Sequence, residues 1–154
     1  MKIYSNNKLI SGSRDKTIKI WNLNTFECEN TLLGHTNDVL CLEFIPNGNL
    51  LSGSGDHSIR IWDLNACICL NVIDGSSSVW SLRFLHDRYL ISGYENGDIL
   101  IWDLNSLKKP VSSIKGHPSL ILNFDLLNNE YLLSYSCQNK SILAINSRLN
   151  KIIS

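Results

Sequence analysis

The sequence predicts an all-β chain in which one four-stranded unit is repeated about four times. Three observations carry that prediction. Residues 50–63, LLSGSGDHSIRIWD, reappear with small changes as LISGSRDKTIKIWN at residues 9–22 and as LISGYENGDILIWD at residues 90–103. Trp21, Trp62 and Trp102 stand near the ends of these copies and set a period of about 40 residues, the mark of a repeat architecture. Within a copy the side chains alternate: Thr17, Lys19 and Trp21 fall on one side and Ile18, Ile20 and Asn22 on the other, as in a pleated strand.

Residues 1–7 turn polar after MKIY and read as the remnant of a strand. Strands are predicted at residues 8–13 and 17–23 around the turn Arg14-Asp15-Lys16, then at 28–33 after Asn24-Thr25. Gly34-His35-Thr36-Asn37-Asp38 is a loop dense in turn formers. The second unit is complete, with strands at 39–45, 50–54, 58–64 and 68–73. Pro46-Asn47-Gly48-Asn49, Gly55-Asp56-His57 and Asn65-Ala66 supply its turns. The third unit repeats the plan at 79–85, 89–94, 98–104 and 111–115. The fourth runs through 120–126, 131–136 and 141–146, with 151–154 opening a last strand. One domain over residues 1–154 is expected: a partial unit 1–33, whole units 34–74 and 75–115, and a partial unit 116–154.

Composition narrows the function classes. Fourteen basic and fourteen acidic residues cancel, and no block of like charge stands out. A sequence-independent grip on nucleic acid or on an anionic membrane is therefore not expected. No run approaches the roughly 18 apolar residues that span a bilayer, and a cytoplasmic or nuclear location is expected. The five cysteines, Cys28, Cys41, Cys67, Cys69 and Cys137, show no CxxC pairing, and Cys28 and Cys69 share one repeat position. They read as small buried strand residues rather than metal ligands.

A unit of four short antiparallel strands cannot bury both faces alone, and such units stack radially as propeller blades. The Gly34-His35 pair, the Ser52-Gly53-Ser54 run, Asp56 in the turn and the Trp62-Asp63 close resemble a tryptophan–aspartate (WD) repeat. Gly116-His117 and Trp102-Asp103 repeat its first and last elements. The resemblance covers nearly the whole chain. It implies an incomplete all-β propeller of WD repeats, with about four blades of which the first and last are truncated.

The resemblance also implies a role for the marked residues. In the family a loop histidine, a second-strand serine, a turn aspartate and a third-strand tryptophan form a hydrogen-bonded chain; by position these are His35, Ser52, Asp56 and Trp62. Half-buried polar groups between blades need such partners. The first unit keeps Ser11, Asp15 and Trp21. The third keeps Ser92 and Trp102, with Gly75 at the histidine position and Asn96 at that of the aspartate. The fourth keeps His117 and Ser134, with Ala144 or Ile145 at the tryptophan position. A hydrolase reading of Ser, His and Asp fails because no nucleophile elbow precedes a helix. Ser52-Gly53-Ser54-Gly55 lacks the Lys-Ser/Thr and the helix of a phosphate cradle. Asn139-Lys140-Ser141 matches a glycosylation acceptor, a reading set aside without a secretory signal.

A non-catalytic scaffold or adaptor is expected, with no cofactor, no metal and no catalytic residue, binding other proteins or peptides on the face where the loops converge. The candidate contact residues there are Arg14, Asp38, Leu40, Ser78, Trp80, Glu95 and Leu120. Trp80 stands out because its repeat equivalents are read as Leu40 and Leu120, and exposed aromatics carry interface energy. Arg14 offers a charge to an acidic or phosphorylated partner. The SGSRD run is also similar to propellers of ubiquitin-ligase substrate receptors, which hold phosphorylated degrons through arginines. That alternative would need arginines where Leu40 and Trp80 stand. A gene fragment with no function of its own is the other alternative. An open arc leaves unpaired edges, so the chain is expected to self-associate or to need further blades.

Overall fold

Sixteen strands and no helix form the described part of the computed structural model, residues 1–4, 7–85, 88–127, 131–136, 142–146 and 151–153. The first sheet holds β1 (Lys2–Tyr4), β2 (Lys8–Gly12), β3 (Ile18–Asn22) and β4 (Cys28–Leu32). The second holds β5 (Val39–Phe44), β6 (Leu50–Ser54), β7 (Ser58–Asp63) and β8 (Ile68–Asp74). β9 (Val79–Phe84), β10 (Tyr89–Tyr94), β11 (Asp98–Asp103) and β12 (Ser112–Lys115) make the third. β13 (Ile121–Leu127), β14 (Tyr131–Ser136), β15 (Ile142–Asn146) and β16 (Lys151–Ile153) make the fourth. Within each sheet every strand pairs antiparallel with its neighbour in sequence, and the sheets stand side by side as an unclosed arc of propeller blades. The outermost strands in sequence, β1 and β16, are three residues each. The remnant at KIY does pair, Lys2 with Ile10 and Tyr4 with Lys8.

Alternation along the strands gives each inner sheet two apolar faces. Leu50 and Trp62 pack toward the first sheet, among Ile10, Ile18, Ile20 and Leu32. Leu51, Ile59, Ile61 and Ile73 pack the other way, among Val79, Leu82, Leu90 and Trp102 of the third sheet. The third seam repeats the arrangement, with Ile91, Ile99, Ile101 and Ile114 against Ile121, Phe124 and Leu132. A buried Leu or Ile contributes about 1.5–3 kcal/mol, whereas an exposed ion pair contributes about 0–1 kcal/mol. The seams, not the rim charges, hold the arc.

Two local devices bring the sheets together. Gly12, Gly53 and Gly93 follow the repeat serine on the second strands. A Cβ there would lie 2.6 Å from Val39, 2.5 Å from Val79 and 2.8 Å from Ile121, so the next inner strand can approach only a glycine. Each of β5, β9 and β13 also carries a bulge at its start, which leaves Leu40, Trp80 and Leu122 without a partner in the register. A bulge sets two residues against one and re-aims the extra side chain.

Candidate functional site

The second unit assembles four polar side chains in one line. Trp62 Nε1 donates to Ser52 Oγ at 2.8 Å, and Ser52 Oγ lies 2.7 Å from His35 Nε2. His35 Nδ1 lies 2.8 Å from Asp56 Oδ2. Trp62 can only donate, so the serine hydroxyl donates to Nε2 and Nδ1–H donates to the carboxylate. Burial lowers the His35 pKa, and the hydrogen bond to Asp56 only partly opposes it; the ring is neutral, as this tautomer requires. Burial works against ionisation of Asp56, but the bonds from the Ser58 hydroxyl, the Thr36 N–H and His35 overcome it. They hold that carboxyl well below the usual carboxylate range.

The third unit keeps the hinge and changes its closer. Trp102 Nε1 donates to Ser92 Oγ at the same 2.8 Å. Gly75 stands at the histidine position, and the space is taken by Tyr94, which is fully buried. Ser92 Oγ lies 3.0 Å from the Tyr94 hydroxyl. A Cβ on residue 75 would come within 2.4 Å of the Tyr94 ring, so the glycine and the tyrosine are one change made at two positions. Burial pushes the Tyr94 hydroxyl up to about 12. Sequence reasoning missed Tyr94. The signal was its place in the repeat, where Ser13 and Ser54 stand.

The end units show parts of the pattern. Trp21 donates to Ser11 at 2.8 Å, while Asp15 turns to Thr17 and accepts from its hydroxyl and its N–H. His117 Nε2 lies 2.9 Å from Ser134 Oγ. Ile145 faces Leu132 across the sheet as Trp62 faces Leu50, so Ile145, not Ala144, takes the tryptophan position. Cys137 and Asn139-Lys140-Ser141 lie outside the described residues. Ser52 and Ser92 are fully buried and committed to the tryptophans. Among the described residues no group of three or more His, Cys, Asp or Glu could hold a metal ion.

On the loop face, Arg14 Nε lies 3.7 Å from Asp38 Oδ2 across the first seam, and Ser78 Oγ donates to Glu95 at 2.7 Å. Leu120 requires a correction. Val39, Val79 and Ile121 occupy one register position, opposite Ser54, Tyr94 and Ser136, so the equivalent of Leu40 and Trp80 is Leu122, not Leu120. The bulges aim Leu40, Trp80 and Leu122 into one hollow beside the inner strands, where Lys2, Arg83 and Asn123 also line the wall. Trp80 Nε1 there has no hydrogen-bond partner.

Comparison with known proteins bears on the whole arrangement. The family model "WD domain, G-beta repeat" matches residues 2–22, 26–63 and 67–103, more than half of the chain. The chain is similar to the WD repeat-containing protein pop1 of Schizosaccharomyces pombe, 36% identical over 42 residues, which are 27% of this chain and 5% of that protein. It is similar to the Lissencephaly-1 homolog of Dictyostelium discoideum, 55% identical over 38 residues, 25% of this chain and 9% of that protein. It is also similar to the nuclear distribution protein PAC1 of Arthroderma otae, 59% identical over 32 residues, 21% of this chain and 7% of that protein. The matched stretch thus spans less than a tenth of each of these relatives.

Proposed function

The chain belongs to the WD-repeat family, and on that footing we propose that it is a non-catalytic scaffold whose protein or peptide partner docks at the hollow around Trp80. WD repeats in general mediate protein–protein contact and do not catalyse. The observation that carries the narrower reading is the convergence of three bulged residues, Leu40, Trp80 and Leu122, on one hollow. Trp80 stands one residue inside the strand end next to the loop face, between two smaller leucines. Its indole N–H lacks an acceptor, and an unmet buried donor costs about 1–3 kcal/mol. A partner that lays an apolar side chain against the ring and offers a backbone carbonyl would relieve that cost. Arg14 is 94% exposed, and its 3.7 Å pair with Asp38 is of the weak, solvent-screened kind, so its charge stays available to a partner. A phosphodegron reader would want further arginines where Leu40 and Trp80 stand.

Affinity capture with the wild-type chain, Trp80→Ala and Arg14→Ala tests the reading. A buried tryptophan anchor is worth about 2 kcal/mol or more at an interface, roughly 30-fold in affinity. Capture should fall by that factor for Trp80→Ala and by threefold or less for Arg14→Ala. Binding that ignores the Trp80 change would remove the hollow as the docking site.

A further inference from the structure

The seams are closed differently at the end away from the loop face. On the inner strands Ile3, Phe44, Phe84 and Leu126 share one register position, opposite Leu9, Leu50, Leu90 and Leu132. Tyr4, Ile45 and Leu85 are the residues that follow on the first three of these strands. In the first seam the Tyr4 ring of the earlier sheet stacks on Phe44 of the later one, centroids 5.3 Å apart. In the third, Leu85 is buried and Leu126 packs on the same core. The second seam has the aromatic floor, Phe84, but Ile45 where the covering ring would stand. A hollow of about 430 Å³ opens there, lined by Ile45, Ile61, Leu70, Phe84 and Leu104.

We propose that this hollow receives a tyrosine side chain of a partner peptide, stacked on Phe84 as Tyr4 stacks on Phe44, with acidic residues next to that tyrosine in the partner. This goes beyond the scaffold reading and does not depend on it, because the hollow lies at the opposite end of β9 from Trp80.

Shape, hydrogen bonding and charge together select that occupant. The volume falls in the range of small-ligand pockets, roughly 300–1,000 Å³, and a ring laid on Phe84 gains the attraction of an offset aromatic pair. Leu70, half exposed at the rim, stands where the first sheet has Glu29, so the apolar lining extends to the mouth. Asn47 and Asn71 also line the hollow. Their side-chain oxygens accept from the N–H groups of Asn49, at 3.0 Å, and Val72, at 2.8 Å. Their amide nitrogens have no partner among the described residues and can donate to a phenol oxygen. The hollow continues past Leu104 and Leu107 along Lys108 and Lys109, both exposed and without an ion partner among the described residues. Asp74 lies at the far end of that stretch, and Arg88 at the mouth is paired with Asp103 at 3.1 Å. The two lysines therefore leave an excess of positive charge beside the ring site, which suits a partner with carboxylates there.

Methyl NMR titration of the full chain tests the proposal, with circular dichroism confirming the β fold of each variant. The first probe is p-cresol, the tyrosine side chain set free. It should shift the methyl signals of Ile45, Ile61, Leu70 and Leu104 and leave those of the first seam in place. The peptide acetyl-Tyr-Glu-Glu-amide should bind at least tenfold more tightly than acetyl-Ala-Glu-Glu-amide, and at least threefold more tightly than acetyl-Tyr-Lys-Lys-amide. Ile45→Tyr gives Phe84 a covering ring from the chain itself and should weaken the tyrosine–glutamate peptide at least tenfold. Lys108→Glu combined with Lys109→Glu should weaken that peptide at least threefold and leave p-cresol binding unchanged; this exposed pair keeps the test decisive if Ile45→Tyr does not fold. Shifts from p-cresol that miss the four named side chains would overturn the proposal. So would equal affinity for the tyrosine and alanine peptides, a preference for the lysine peptide, or peptide binding indifferent to the lysine changes or to a folded Ile45→Tyr.

Discussion

The second and third units draw the same Trp–Ser bond, 2.8 Å in each, but a histidine closes it in one and a tyrosine in the other. In the second unit the closer comes from the loop before the sheet and links on to Asp56. In the third it comes from the second strand and lies over Gly75. The tryptophan–serine hinge is the common requirement. What the seam needs beyond it is a polar group that completes the serine and fills the space. The two solutions differ in titration: burial lowers the pKa of the imidazole from the ordinary histidine value, whereas it pushes the phenol up to about 12.

The largest effects should fall on what the two units share. Trp62→Ala and Trp102→Ala should each cost about 3–5 kcal/mol in urea unfolding, because both rings are buried in the seams. A clear inequality between them would break the claim of a common hinge. Trp21→Ala, on the half-buried face of the first sheet, should cost visibly less.

Next come changes that distinguish the closers. His35→Ala removes one hydrogen-bond partner from Ser52 and one from Asp56 and should cost about 1–3 kcal/mol, the price of partly unmet buried polar groups. Gly75→His drives a side chain into Tyr94 and should cost about 1–3 kcal/mol by overpacking. Tyr94→Phe removes only the hydroxyl and should cost about 1 kcal/mol.

The smallest effect is on pH dependence. The folded chain depresses the pKa of His35 and of His117, chiefly by burial. Below the ordinary histidine value of about 6.5 the unfolded chain binds more protons, so stability should fall as pH drops through that value. Asp56, held low in the folded chain, should add a second loss below about pH 4. His35→Gln should flatten the first phase, whereas Tyr94→Phe should leave its shape unchanged.

The strand plan was legible because period-two alternation and turn residues are local signals; residues 50–54 and 58–63 carry both. The His35–Ser52–Asp56–Trp62 line was legible through its recurrence in the family. Two features were not. Tyr94 lies 19 positions after the glycine it covers, and neither residue alone departs from what a strand or a loop accepts. Leu122 was missed because the third repeat is longer: Val79 and Ile121 stand 42 residues apart where Val39 and Val79 stand 40 apart, so a fixed 40-residue period fell on Leu120.

The central claim is that Gly75 and Tyr94 together replace the histidine. Moving the second unit's closer into the third, by Gly75→His with Tyr94→Ser and Asn96→Asp, tests it in one urea titration. The triple variant should be at least about 1 kcal/mol more stable than Gly75→His alone, with an added loss of stability below pH 6.5. A triple variant no more stable than Gly75→His would contradict the claim.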